Sequence, residues 1–410
     1  MVHLARAHGM RRRCFAVLAL TLVSTAATSP GASTRQETAP RWTGTWEAAP
    51  SGTAPALPGV SIRNVVHTSV GGSAARIRVT NRLGTAPLRL DAVTVALRRK
   101  DGPAGPGAVP GSLRAVTFGG ESSVTVPAGQ DRVSDPVRLR VPADADLLVS
   151  VYTPIASGPA TYHRTALQTS YLAEGGNRTA DTEGTAYTKT VSHWYYATGV
   201  DVLRPGTAGS VVALGDAVTD GTGSTAGADR RWPDVLSRRL RALPVSRRPG
   251  VLNAGISGNR LLLDGVGPSA LARLDADVLS RTGVRTVVLL EGAGDLRRAP
   301  ARTDAGAFVR AYRTLVSRAH ARGVRVVGAT LTPFGGHSGW TPARERLRHE
   351  INGLIRGGLF DAVADFDAAV RDPARPERLR VAYDPGDHVH LNDAGMQALA
   401  DAIDLAELVR

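Results

Sequence analysis

Asp387 and His390 lie three residues apart in the stretch Asp384-Pro385-Gly386-Asp387-His388-Val389-His390-Leu391-Asn392-Asp393-Ala394-Gly395. A carboxylate that fixes the tautomer of an imidazole leaves the other ring nitrogen basic, so this pair can act as a general base. Asp384, Asp387, His388 and His390 also read as a mixed set of metal ligands. No second ligating cluster accompanies them, and no metal or cofactor is expected. Three more stretches are rich in Gly and Asp: Gly215-Asp216-Ala217-Val218-Thr219-Asp220-Gly221, Asn253-Ala254-Gly255-Ile256-Ser257-Gly258-Asn259 and Glu291-Gly292-Ala293-Gly294-Asp295. Their hydroxyls, Thr219 and Ser257, are the nucleophile candidates by type, although Ser257 fits a loop hydrogen-bonding role better. Asp216 and Asp295 are expected to fix their loops by accepting backbone N–H groups. The glycines of the first stretch are no phosphate cradle, because no Lys-Ser/Thr pair follows them.

These stretches need elements that bring them together. From Trp42 to about Leu203 the chain alternates polar and apolar residues in short runs, near 60–70, 75–80, 88–97, 122–126, 137–141 and 147–152, broken by Gly and Pro. That pattern predicts an antiparallel, jelly-roll-like β-sandwich over 42–203. A linker at 204–209 follows, and beyond it the period changes. Strands at 211–214, 284–290, 324–331 and 363–366 alternate with helices at 232–243, 305–321, 342–355 and 393–405. Residues 210–410 are therefore read as a three-layer α/β/α domain around a parallel, flavodoxin-like sheet. In such a sheet the four Gly/Asp stretches converge in the loops beyond the C-terminal strand ends.

The four stretches, in this order and spacing, resemble the SGNH/GDSL hydrolase superfamily of esterases, lipases and carbohydrate acylesterases; the likeness spans about 209–405. The resemblance implies an ester-cleaving cleft. It places the nucleophilic serine at Ala217, an oxyanion-hole N–H at Gly258, the oxyanion-hole asparagine at Gly294 and the acid–base pair at Asp387 and His390. Two of these positions depart from the family: Ala217 carries no hydroxyl and Gly294 no amide. The β-rich half resembles the domain that precedes such hydrolases in secreted actinobacterial proteins. Three functions stay open. One is a pseudohydrolase whose cleft binds an acyl ester or acylated carbohydrate. The second is a weak hydrolase in which His390 activates water. The third is an envelope or carbohydrate-binding protein acting through the β-sandwich, where Trp42, Trp46, Trp194, Tyr195 and Tyr196 would form a platform or, as the better default, pack in the core. Trp340, in a Gly-rich loop, reads as either a stacking residue at the cleft rim or a loop anchor.

Composition narrows the classes further. The 410 residues are 42% hydrophobic and 21% charged, which suits a globular chain of two domains. The net charge of +14 comes from scattered arginines without an aromatic-interleaved patch, so no nucleic-acid partner is expected. A single cysteine excludes an internal disulfide. Arg11, Arg12 and Arg13 precede an apolar run and then small residues, the order of an export signal over 1–32, with 33–41 a flexible segment. The route reads as Sec, with Arg12-Arg13-Cys14-Phe15 leaving the twin-arginine route open. Cleavage would remove four arginines, leave +10 and yield a secreted chain with no transmembrane segment.

Overall fold

A computed structural model describes residues 40–100, 105–206 and 208–409. The expected export signal and the segment 33–39 lie outside the described residues. No helix among the described residues is long and apolar enough to cross a membrane.

Alternation along the N-terminal strands puts every second side chain on one face. A four-stranded and a six-stranded antiparallel sheet accordingly share one core. The first contributes Ile77, Val79, Val200 and Val202, and the second Ile62, Val66, Val95, Leu147 and Val149. The intervening residues Val65, Ala96 and Leu148 pack under a second layer with Tyr171 and Tyr187. The segment 137–141 departs from the strand its alternation predicts. It pairs only at its ends, Val137 with Ala75 and Val141 with Gly72. Between them the Leu139 N–H turns back onto the Val137 carbonyl, at 2.9 Å, and so is lost to the ladder. Pro136 and Pro142 flank the segment and bring no N–H of their own. The run 88–97 likewise splits at Asp91: Leu88–Leu90 pairs with Val124–Val126, and Ala92–Leu97 joins the six-stranded sheet.

The C-terminal half holds a five-stranded parallel sheet in the spatial order Gly250–Gly255, Ser210–Gly215, Val284–Leu290, Arg325–Ala329, Ala362–Ala364. Taken in chain order this is 2-1-3-4-5, the flavodoxin-like arrangement. Both faces are covered. Val212, Leu214, Leu252, Val287 and Val326 pack against Leu274, Phe308, Leu315 and Ile351, while Val211, Ala213, Val251, Val288 and Val327 pack against Trp232, Leu236, Met396 and Leu399. Local chemistry starts the helices. Thr341 caps Pro342–Arg356 with proline at the first position, and the Asn392 side chain caps Asp393–Asp401 by accepting from Gly395 N–H.

The strand Arg41–Glu47 runs along the edge strand Gly250–Gly255: Ala48 bridges Asn253, and Gly44 N–H donates to the Thr282 carbonyl at 3.1 Å. Ion pairs cross between the halves. Arg82 meets Asp277 at 2.6 Å and Glu47 meets Arg281 at 2.7 Å, all four side chains being buried or nearly so.

His67 joins the halves in a different way. Its Nδ1 lies 2.8 Å from Asp146 and 3.3 Å from Asp229, and its Nε2 lies 3.1 Å from Asp144. Burial opposes an imidazolium here. The hydrogen bond to Asp146 and the charges of Asp229 and Asp234 outweigh it and push His67 up to about 9. The folded chain thus binds this proton more tightly than the unfolded one. The resulting stability is whole below the ordinary value of 6.5 and is lost as pH rises to about 9. Its size is roughly 3 kcal/mol. We expect the Tm of the parent to fall between these two values and His67→Gln to remove most of that slope; a parent profile flat across the window would overturn the pairing.

Candidate active site

The first three Gly/Asp stretches begin where a sheet strand ends, and the fourth lies between the last sheet strand and the helix Asp393–Asp401. After Ser210–Gly215, Asp216 accepts from the Val218 N–H at 3.0 Å and starts a one-turn helix, Ala217–Asp220, that Gly221 closes. Ala217 is 4% exposed. Thr219 is fully buried and its hydroxyl accepts from the Trp232 indole at 3.3 Å, so it faces the core. Ser257 donates to Asp220 at 2.5 Å and its backbone N–H donates to the same oxygen. It ties the first stretch to the second, as the sequence reading of a loop residue expects.

Gly258 adopts φ +92°, a region in which glycine is unstrained. Asp295 accepts the N–H groups of Leu261 at 2.6 Å and Leu262 at 3.1 Å, and so clamps the second stretch to the third. Burial raises the Asp295 carboxyl, against those two N–H bonds and Arg260, which lower it. Gly294 lies in the short helix Ala293–Arg297, and a Cβ there would stand 2.4 Å from the Asn259 carbonyl oxygen. No side chain fits without moving backbone. We expect Gly294→Asn to cost about 1–3 kcal/mol in thermal unfolding, as overpacking does, and to supply no working amide; a variant with undiminished Tm would show that the loop yields freely.

The C-terminal stretch forms two successive Asp–His couples. Asp387 Oδ2 holds His390 Nδ1 at 2.5 Å, while its other oxygen accepts the N–H groups of Val389 and His390. Burial would raise the Asp387 carboxyl, but those bonds and the imidazole prevail and hold it below the usual range. With Nδ1 engaged, Nε2 is the basic nitrogen. Asp384 pairs with His388 Nδ1 in the same way at 2.6 Å. The metal-like set is thus divided into two hydrogen-bonded couples.

The structure brings these parts together. Gly223, just past the first helix, leaves only 3.2 Å from a would-be Cβ to the His390 Cβ, and Thr225 binds Asp393 through both N–H and hydroxyl. Arg297 lies 4.0 Å from Asp216 and also feels the charge of Asp387.

Three features escaped the sequence reading. Arg297 looked like one more arginine of a basic chain. His163 of the β-rich half reaches across to Asp220, with Nε2 at 2.9 Å and Nδ1 2.7 Å from the Ala49 carbonyl. Burial opposes its charge, but Asp220 raises it, so the β-rich half grips the one-turn helix of the first stretch. His67 and its carboxylates carried no local signal either. Trp340, by contrast, packs against the core as an anchor, and Trp46, Trp194, Tyr195 and Tyr196 are buried and form no exposed platform.

Residues 213–398 match the model of the GDSL-like lipase/acylhydrolase family. The α/β half is a GDSL-like lipase/acylhydrolase domain. No curated protein matches the chain. Solved structures similar to this GDSL-like domain include a lipase/acylhydrolase from Enterococcus faecalis, at 19% identity over 47% of this chain and 92% of that one, with a TM-score of 0.37. A carbohydrate acetylesterase from Sinorhizobium meliloti aligns at 17% identity over 47% and 95%, with a TM-score of 0.37. A GDSL-like lipase from Bacteroides thetaiotaomicron aligns at 17% identity over 48% and 87%, with a TM-score of 0.36. Within this domain position 217 carries a methyl group and position 294 no side chain.

Proposed function

We propose that this is a secreted pseudohydrolase: a GDSL-like domain that keeps its cleft and its Asp387–His390 pair but has no nucleophile. The observation that carries this reading is Ala217, a methyl group set at the start of the one-turn helix where the family resemblance places the attacking hydroxyl. An imidazole can draw a proton only from a group that has one. Thr219 and Ser257 do not substitute, since both hydroxyls are engaged away from that position. The ligand class is an acyl ester or an acylated carbohydrate, taken from the family. Export rests on the order of charged, apolar and small residues at the N-terminus.

A second reading has one observation in its favour. His390 is 21% exposed at its side chain, and its Nε2 could activate a water directly. Hydrolysis of p-nitrophenyl acetate by the full chain separates the two. The pseudohydrolase reading expects no turnover in the parent and turnover in Ala217→Ser. Parent turnover that vanishes in His390→Ala would instead establish the water-activating pair.

A further inference from the structure

We propose that the β-rich half carries a second binding site, in the groove at Arg164 and Gln168, and that its ligand is an acidic sugar unit, a uronate whose carboxylate meets Arg164. The site goes beyond the pseudohydrolase reading and does not depend on it, since none of Ala217, Gly258, Asp387 or His390 lines the groove.

The groove opens between the loop 164–169, the turn at Ser192 and His193, and Ala226 and Gly227 of the α/β half, with a free volume of about 420 Å³. That lies within the roughly 300–1,000 Å³ of small-ligand sites. Its walls are held from behind. The Ala166 N–H donates to the Ser192 carbonyl at 3.1 Å, and the Gly227 N–H donates to the Leu167 carbonyl at 2.8 Å. Arg231 donates to the Ala166 carbonyl, and His193 Nδ1 meets the Arg164 carbonyl at 2.5 Å. A loop whose backbone is tied down in this way is shaped before a ligand arrives, which spares the cost of ordering it on binding.

The side chains left over define the ligand. Gln168 is only 7% exposed, and its Oε1 accepts the Thr169 N–H at 2.9 Å, so its amide nitrogen is the group it offers to the groove. Among the described residues, the Arg164 guanidinium and the hydroxyls of Thr165, Thr169 and Ser192 meet no partner. Hydroxyls both donate and accept, which matches the hydroxyls of a sugar. Among the described residues no carboxylate lines the groove. Arg164 supplies a cation whose planar fork meets a carboxylate through two parallel N–H bonds. This set therefore suits a polyol that carries one negative charge.

The test is isothermal titration calorimetry of the full chain with digalacturonate and with its neutral counterpart galactobiose, which has a hydroxymethyl group in place of each carboxylate. We expect saturable binding of digalacturonate by the parent. Arg164→Gln should weaken it about tenfold or more, the loss expected for a hydrogen-bonded charge pair, and galactobiose should bind the parent more weakly by a similar factor. Ala226→Trp, which fills the groove from the opposite wall, should abolish binding, whereas Arg310→Gln on the exposed surface should bind as the parent does. Thermal unfolding of each variant checks that it is folded. A folded parent without saturable binding overturns the proposal, as does equal binding by the parent and a folded Arg164→Gln or Ala226→Trp. Equal affinity of the parent for the two sugars overturns the acidic ligand.

Discussion

On the pseudohydrolase reading, Ala217→Ser is expected to yield a measurable esterase, with a gain on the order of 10³-fold over the parent. Loss of the nucleophile in a serine protease costs about 10⁶ in turnover, which sets the ceiling for restoring it. The expected gain stays below that ceiling, because on the family resemblance Gly294 stands where an oxyanion-hole amide would be, and one such donor is worth about 10² to 10³. Asp216 caps the turn that would carry the serine, and Asp387 holds His390 at 2.5 Å. Adding His390→Ala to Ala217→Ser should return turnover to background, because the restored hydroxyl would have no base. A folded Ala217→Ser chain with no turnover would place the loss of function elsewhere in the cleft than the missing hydroxyl.

Asp277→Asn should cost about 3–5 kcal/mol, seen as a Tm loss on the order of 5–10 °C. Asp277 is 2% exposed at its side chain and faces Arg82 at 2.6 Å, Arg273 at 3.2 Å and Arg281 at 3.5 Å. Burial alone would raise its carboxyl, but the three guanidinium groups hold it below the usual range. The neutral amide would leave three buried cations with Asp131, Glu47 and Glu291 as acidic neighbours, and burial pushes Glu47 up to about 8 despite Arg281. Breaking one member of a buried pair is costly for this reason: the remaining charge loses its partner without regaining water. Asp275→Asn is the control. That carboxylate is 65% exposed and pairs with Arg318 at the surface, so its removal should cost no more than about 1 kcal/mol. Equal Tm losses for the two variants would overturn the assignment of Asp277 as the clasp between the halves.

Much of the architecture was legible because period and turn chemistry are local. The strand read at 284–290 is the strand observed, and the helix read at 305–321 ends one residue earlier, at His320. The run 137–141 misled because alternation reports which way side chains point, whereas a ladder also needs free N–H groups, and here one turns back on its own chain. The strand read at 363–366 stops at Ala364 for a similarly local reason: Asp365 accepts from Ala368 N–H and starts a helix at Phe366.

The candidate site divides along the same line. The sequence by itself determined the four Gly/Asp stretches, the missing hydroxyl at 217 and the Asp387–His390 couple, whose hydrogen bonds all close within three residues. Only the tertiary structure decided that His163 grips Asp220 from 57 residues away, that Arg82 meets Asp277, and that Arg297 lies 4.0 Å from Asp216. It also decided that position 294 has no room for a side chain. The physical reason is that these contacts depend on strand order and on which loops the 2-1-3-4-5 sheet brings side by side. Local spacing can mark a residue as polar, but it cannot say what that residue will face.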